Sequence, residues 1–445
     1  MVANRSCDQV DEQGVPTGEM GEYLMSSALF TDLYELTMAQ SLLENKKTGR
    51  AVFSMTVRSL PPERNFIVAC GLESLCSYLS QFSFNQEDIT YLQSLQKFSN
   101  EFLEWLSEFR FTGDLYAIPE GRIVFGNEPL VRMEGNLPEL QILETLALNL
   151  IHHQTVIASK AARIVAVSGS ASLIDFGLRR AHGAQSGVLA SRASYVAGFD
   201  GTSNLEAGRL YNIPVSGTMA HSYILAFASE EEAFRAYVRT YPESPVLLID
   251  TFDTLKGADL AASLADEGLP LAAVRIDSGD ISTLVPAVRT ILDSRGHQEV
   301  RIIVSGGVDE SDIERWNIEN LPIDGYGIGT RLLTSSDNPY LDMTYKLVEY
   351  EGIPRFKTST GKVTVPGSRE IRRVYAGETC DHDLVVPTGS LHHGELLIEP
   401  VMQSGTLIRP HPSLETIRRT FRSDLIRLST VLQGLDKHDY DVRIA

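Results

Sequence analysis

The chain is short of cysteine and of positive charge, and it has no long apolar run. Its four cysteines, Cys7, Cys70, Cys76 and Cys380, are too few in 445 residues for a disulfide scaffold. None forms a CxxC pair, so the sequence offers no zinc knuckle and no zinc is expected. No stretch approaches the ~18 consecutive apolar residues of a membrane span, so no membrane partner is expected either. Lys and Arg together number 39 against 58 Asp and Glu, a formal net charge of −19. Such a surface repels a phosphate backbone, which argues against nucleic acid while leaving room for a local cationic pocket. Residues 1–28 are polar and acidic, lack the apolar core of a signal peptide, and read as a flexible leader on a cytoplasmic protein. What is present is an ordinary globular composition, 43% hydrophobic and 22% charged, which excludes a disordered or fibrous chain.

Residues 29–140 mix helix and strand signals and read as an α+β domain. The spacing predicts a helix over 31–45, with Asp32 and Glu35 placed like a capping box at its start. A strand is expected over 50–58, helices over 70–82 and 87–109, and hairpin-like pieces over 114–125 and 129–134. From about residue 141 the texture changes. A long helical stretch over 143–166 precedes apolar runs at 172–176, 213–215, 246–249, 272–276, 300–304 and 323–328. Helical segments lie between them, at 229–241 (Ser229 and Glu232 as a capping box), 253–265, 281–294 and 309–319. From residue 213 the runs start 23 to 33 residues apart, the size of one strand-plus-helix unit, which argues for a parallel sheet. Residues 344–445 revert to strand and turn, with a helix over 413–432, and are expected to pack against the first domain.

Each apolar run ends in polar chemistry. Leu178-Arg179-Arg180 follow the first run beyond Phe176, Thr218 and His221 the second, Asp250 the third, Asp277 and Asp280 the fourth. Ser305-Gly306-Gly307 and Gly329-Thr330 close the last two, the latter after Gly327. Such residues at the carboxyl ends of successive parallel strands would form the active face of a closed α/β barrel. An open doubly wound sheet, with its crevice at the same strand ends, is the alternative. The expected fold is therefore α/β, an irregular TIM-like barrel over 141–343 joined to an α+β domain built from both terminal segments. Gly-rich turns let backbone amides approach an anion, so Ser305, Gly306, Gly307, Gly327, Gly329 and Thr330 are phosphate candidates. An aromatic ring beside a guanidinium fork, as at Phe176 and Arg179, suits a flat anionic ligand. Arg275 lies inside an apolar run, where an unpaired charge is costly, so it reads as functional. Asp250, Asp277 and Asp280 are candidates for ribose hydroxyls or magnesium, with helix capping the plainer reading of Asp280. His221 can act as an acid, a base or a phosphoryl acceptor.

These motifs together resemble a known family. Thr31-Asp32-Leu33-Tyr34, Leu178-Arg179-Arg180-Ala181-His182-Gly183, Gly198-Phe199-Asp200-Gly201-Thr202-Ser203-Asn204 and Gly217-Thr218-Met219-Ala220-His221-Ser222 are its first four. Arg275-Ile276-Asp277-Ser278-Gly279-Asp280, Gly327-Ile328-Gly329-Thr330 and Pro366-Gly367-Ser368 complete the series. Their order over roughly residues 29–375 resembles the nicotinate phosphoribosyltransferases, type II phosphoribosyltransferases. The resemblance implies an ATP-dependent pentosyl transfer of ligase type. Nicotinate and phosphoribosyl pyrophosphate would give nicotinate mononucleotide and pyrophosphate, in NAD biosynthesis, with magnesium and coupled ATP hydrolysis. It implies that His221 is the phosphorylated histidine; on the residue reading Arg275 and Asp277 join it in the catalytic set, and Asp250 and Asp280 remain the magnesium candidates. Phe176 would stack on the ring, together with Tyr34 from the partner subunit of a homodimer with shared active sites. Thr218, Arg179 and Arg275 would contact nicotinate, and Thr330 a phosphate. A nicotinamide phosphoribosyltransferase and a catalytically silent nucleotide-binding barrel are the competing readings. Against the former, Ser203 and Asn204 are neutral where that sister family carries an acid.

Overall fold

The computed structural model describes residues 28–357 and 365–445. Apart from Ala28, the leader with Cys7 lies outside them; within 344–445, so do the end of a strand expected over 354–358 and most of one expected over 362–366. Two architectures meet along one long helix. Helix α1 (Leu33–Glu44) starts the first. Helix α2 (Glu144–Val167) then crosses to the second, and α3 (Ala184–Val196) packs beside it. Among the described residues no helix is long and apolar enough to cross a membrane.

The second architecture holds six parallel strands: β1 (Ser172–Asp175), β2 (Gly201–Thr202), β3 (Val246–Leu248), β4 (Ala273–Ile276), β5 (Arg301–Ser305) and β6 (Gly325–Ile328). Their spatial order is β2-β1-β6-β5-β4-β3, so the first strand in the chain lies between the second and the last. That is how a sheet curls back on itself; a doubly wound sheet would leave the last strand at an edge. The curl is not complete. Residues 213–215, expected as a strand, contribute one bridge, Val215 to Thr202, and no ladder joins that bridge to β3 among the described residues. Pro214 explains the failure in part, because it has no N–H to donate to a ladder. The missing strand is Gly201–Thr202, whose two residues are too short for any periodicity to mark.

Besides a four-stranded sheet and a two-stranded ladder, the first architecture is built on a seven-stranded sheet drawn from both ends of the chain. Its spatial order is Ile353–Pro354, Met343–Tyr350, Arg50–Val57, Pro129–Asn136, Asp114–Ala117, Glu399–Gln403, Thr406–Leu407. Arg50–Val57 is central, antiparallel to Met343–Tyr350 on one side and Pro129–Asn136 on the other. Residues 129–134 are buried throughout, as are Ala51, Phe53, Met55 and Val57, and Phe53 stacks on Tyr345 with ring centres 4.6 Å apart. Helix α2 is the strut between the two bodies and is unusually polar for a buried helix. Its Lys160 is fully buried, and Nζ sits within 2.6 Å of Asp309 Oδ1, contacts Glu310, and lies 3.0 Å from Asp337 Oδ1.

Several boundaries differ from expectation. Residues 87–109 form two helices, Gln86–Ser94 and Asn100–Ser107, and 413–432 likewise divide into Leu414–Arg427 and Thr430–Gln433. The capping box at α1 does not form. Asp32 is the N-cap but makes no cap bond; its Oδ2 accepts from Thr145 Oγ1 at 2.6 Å. Glu35 is instead buried and takes hydrogen bonds from Thr31 and from Thr145. At Ser229 half of the expected box is present: Ser229 Oγ accepts from Glu232 N at 3.2 Å, while Glu232 reaches back to Ala228 N.

Candidate active site

Strand ends β1, β4, β5 and β6 and the segment 217–221 surround a cavity of about 690 Å³. Phe176 and Arg179 enter it from β1, Thr218 from the segment 217–220 and His221 from the first position of the short helix His221–Leu225, Arg275 and Asp277 from β4. Ser305, Gly306 and Gly307 enter from β5, and Gly329 and Thr330 from β6. Four of the predicted residues are elsewhere. Gly327 lies beneath Phe176: a Cβ there would stand 2.4 Å from the ring, so glycine is what lets the ring lie against β6. Asp250 is one layer back from the cavity wall, where its Oδ2 accepts from Asp277 N at 2.9 Å and Ser278 Oγ at 2.7 Å. Asp280 is the N-cap of the helix Ile281–Ser294 and accepts from Thr283 Oγ1 at 2.7 Å. Tyr34 is half-exposed on α1, away from this chain's own cavity, beside Glu144 and Thr145.

Arg275 organises the floor. Its Nε donates to Thr218 Oγ1 (3.1 Å), Nη1 to both Asp277 Oδ1 and Ser305 Oγ (2.9 Å each), and Nη2 to the carbonyl of Met219 (2.6 Å). A guanidinium has five N–H donors, so one, on Nη2, is left for a ligand. Burial pulls the Arg275 pKa down, and Asp277 and Asp250 raise it only in part. The charge is thus under-compensated. Arg179 and Arg180 on the same wall make no ion pair with a carboxylate among the described residues. Three cations therefore face one acid, Asp277, in a chain that is strongly acidic overall. Asp277 Oδ1 is saturated by Arg275 and Ser305, leaving Oδ2 outward, 3.9 Å from His221 Nε2.

His221 is oriented from its other side, where Nδ1 and Thr251 Oγ1 are 3.1 Å apart. Thr251 was not anticipated, although its place directly after Asp250 at a strand end marks it. The glycines of the β5 turn divide in role. At Gly306 (φ +87°) a Cβ would fall 1.7 Å from the Asp277 carbonyl oxygen, so close packing of two turns requires glycine there. Gly307 (φ +80°) opens on empty space and leaves its backbone accessible. Helix dipoles contribute little to anion binding here. The helix after β6, Thr330–Leu333, is a single turn, and the one after β5 begins with Asp309 and Glu310, already tied to Lys160. Side-chain cations and free amides supply the positive potential. Among the described residues no group of three His, Cys, Asp or Glu converges to hold a metal ion.

Comparison with known proteins agrees with the geometry. Residues 29–152 match the model of the nicotinate phosphoribosyltransferase N-terminal domain, and residues 171–362 that of the nicotinate phosphoribosyltransferase family. The chain is 45% identical over 423 residues to nicotinate phosphoribosyltransferase pncB2 of Mycobacterium tuberculosis, covering 94% of this chain and 91% of that one. It is 39% identical over 360 residues to the nicotinate phosphoribosyltransferase of Bacillus subtilis, covering 78% and 73%. The crystal structure of human nicotinic acid phosphoribosyltransferase superposes with a TM-score of 0.83 at 27% identity, over 93% of this chain and 97% of that one.

Proposed function

The chain belongs to the nicotinate phosphoribosyltransferase family, and from that premise we propose that the cavity at the barrel strand ends is where its two substrates react. The enzyme is a nicotinate phosphoribosyltransferase of NAD biosynthesis, taking nicotinate and phosphoribosyl pyrophosphate as substrates. In our reading Phe176 covers one face of the pyridine ring, and Arg179 pairs the carboxylate as an otherwise unengaged cation. Thr218 and the spare Nη2–H of Arg275 complete that end. The amides of Gly307 and Gly329 and the Thr330 hydroxyl hold the 5′-phosphate. Cleavage of the C1–pyrophosphate bond moves negative charge onto the leaving group and leaves an oxocarbenium-like ribose. The cationic wall stabilises the first, and Asp277 Oδ2 faces the second. Positioning the pyridine nitrogen in line with C1 can supply ~7–11 kcal/mol of the barrier without a covalent ribosyl intermediate.

Magnesium would be held here by Asp277 Oδ2 and the unpartnered, buried Asp250 Oδ1, and would supply positive charge to the departing pyrophosphate. Asp280, outside the cavity lining and holding the Thr283 hydroxyl, fits that role poorly. His221 is the phosphoryl acceptor from ATP, with Thr251 fixing its ring. Tyr34, half-exposed beside the exposed Leu33 and Met38, would enter the partner's cavity in a homodimer. The observation that carries the reading is that Phe176, Arg179, His221 and Arg275, far apart in sequence, line one cavity. The test is His221→Ala, assayed for nicotinate mononucleotide with and without ATP. ATP stimulation should vanish while a weak ATP-independent turnover persists; undiminished stimulation would remove His221 from the mechanism.

A further inference from the structure

Next to Phe176 in the chain stands a polar group that the mechanism above does not use. Asp175, the last residue of β1, is 1% exposed, and no Lys or Arg pairs with it among the described residues. Its Oδ1 accepts from Gly177 N at 2.8 Å. Its Oδ2 accepts from Ser191 Oγ and Thr202 Oγ1, at 2.7 Å each. The three donors come from the turn after β1, from α3 and from β2. The hub extends further: Thr202 Oγ1 accepts from Asn204 N at 3.0 Å, and Ser203 N donates to the Asp175 carbonyl at 2.8 Å. Ser191, Thr202 and Asn204 are each 1% exposed as well. Phe176, Arg179 and Ser203, the side chains that leave this hub, all line the cavity.

A carboxyl buried without a cation is costly, and burial pushes this one up while Ser191, Gly177 and Thr202 pull it back. For stability alone an apolar residue of similar volume at a strand end would do as well. What the carboxyl adds is direction. It is the group that bonds the turn carrying Phe176 and Arg179 to the strand preceding Ser203, through hydrogen bonds short enough to fix all three.

We propose that Asp175 is a positioning residue, which through Gly177 and Thr202 sets Phe176, Arg179 and Ser203 at the geometry that receives the pyridine carboxylate. This rests on the reading that Phe176 and Arg179 hold the nicotinate ring. Asp175 touches no substrate, so its loss acts on one substrate and not on the other. The decisive variant is Thr202→Val, which removes a single hydroxyl at nearly constant volume, with Thr202→Ser as the rescue. Asp175→Asn is the stronger perturbation. A displacement of the ring-holding groups by a fraction of an ångström should raise KM for nicotinate about 10-fold or more in Thr202→Val. KM for phosphoribosyl pyrophosphate and the extent of His221 phosphorylation by ATP should stay at wild-type values, and Thr202→Ser should restore the nicotinate KM. Phe176→Ala and Arg179→Ala run beside them. If these two raise the nicotinate KM and neither Thr202→Val nor Asp175→Asn does, the positioning role is wrong. A parallel rise of both KM values in Thr202→Val also overturns it, since that is the mark of a general structural defect. If Phe176→Ala and Arg179→Ala leave the nicotinate KM unchanged, it is the assignment of the ring site that fails.

Discussion

Two arginines set the two parts of this molecule side by side. Arg192, on α3, reaches from the barrel body into the first domain; Arg275, on β4, stays inside the barrel. Both side chains are almost fully enclosed, at 0% and 9% exposure. Arg192 meets two acids. Its Nη1 lies 2.9 Å from Glu120 Oε1, and Nη2 lies 2.7 Å from Glu120 Oε2 and 2.5 Å from Glu73 Oε2. Burial works against that charge, but Glu120 and Glu73 more than offset it and push Arg192 up, while Glu120 is held below its ordinary range. Arg275 meets one half-exposed acid, and burial wins. A cation that only joins two bodies is neutralised; the cation proposed to receive an anionic substrate is left with its charge partly unspent. Enclosure by itself does not distinguish them. The carboxylates in direct contact do, two for Arg192 and one for Arg275.

The largest effect that could break this contrast is at Arg192. Arg192→Met leaves Glu120 buried and unpaired, and removing one partner of such a pair costs about 3–5 kcal/mol. Denaturant unfolding should show that loss, and Arg192→Met combined with Glu120→Gln should recover part of it. A loss below about 1 kcal/mol, the scale of an exposed pair, would mean that the network is not the joint between the bodies. Arg275→Met should behave in the opposite way. It removes an under-compensated charge, so stability should change little. Loss of a preorganised cation at the reacting centre should cost about 10²–10³ in kcat/KM. Steady-state kinetics and unfolding on the same preparation check both halves, and a destabilisation as large as that of Arg192→Met would erase the distinction.

The barrel was legible because its strands end in chemistry. Arg275 inside an apolar run, the double glycine after residue 305 and the His221 segment all announced a ligand face, and they do share one cavity. Other features left no mark that periodicity or composition reads. The strand Gly201–Thr202 is two residues long, and the bridge at Val215 replaces a strand because Pro214 cannot donate. Gly327 carries the same letter as the cavity-lining glycines, yet its reason is the Phe176 ring packed on it. The Asp175 hub is invisible for another reason: its members are 27 residues apart in sequence, at Asp175 and Thr202, and only the parallel pairing of β1 with β2 joins them. Composition shows which groups are costly to bury; topology shows what they are buried against.

Glu35 sharpens the comparison from the acid side. Like Glu120 it is enclosed, but its partners are the hydroxyls of Thr31 and Thr145 and the Thr145 amide, with no cation among them. Burial therefore pushes its carboxyl up to about 7, against the pull of those bonds, where Glu120 is drawn down by Arg192. The folded chain then holds a proton that the unfolded chain releases above its ordinary value of 4.5. The full stability is present below that value and is lost as pH rises through about 7. At ~1.4 kcal/mol for each pKa unit, the loss by pH 8 is up to about 3 kcal/mol. Glu35→Gln stays neutral throughout, keeps one oxygen to accept from Thr145, and presents its amide to the Thr31 hydroxyl. Its stability at pH 5 should match the parent chain, and at pH 8 it should exceed it. Unfolding curves at pH 5, 6, 7 and 8 decide the matter. If the two proteins lose stability in parallel across that range, Glu35 is not the group that titrates, and an acid without a cation is no different here from one that has found its arginine.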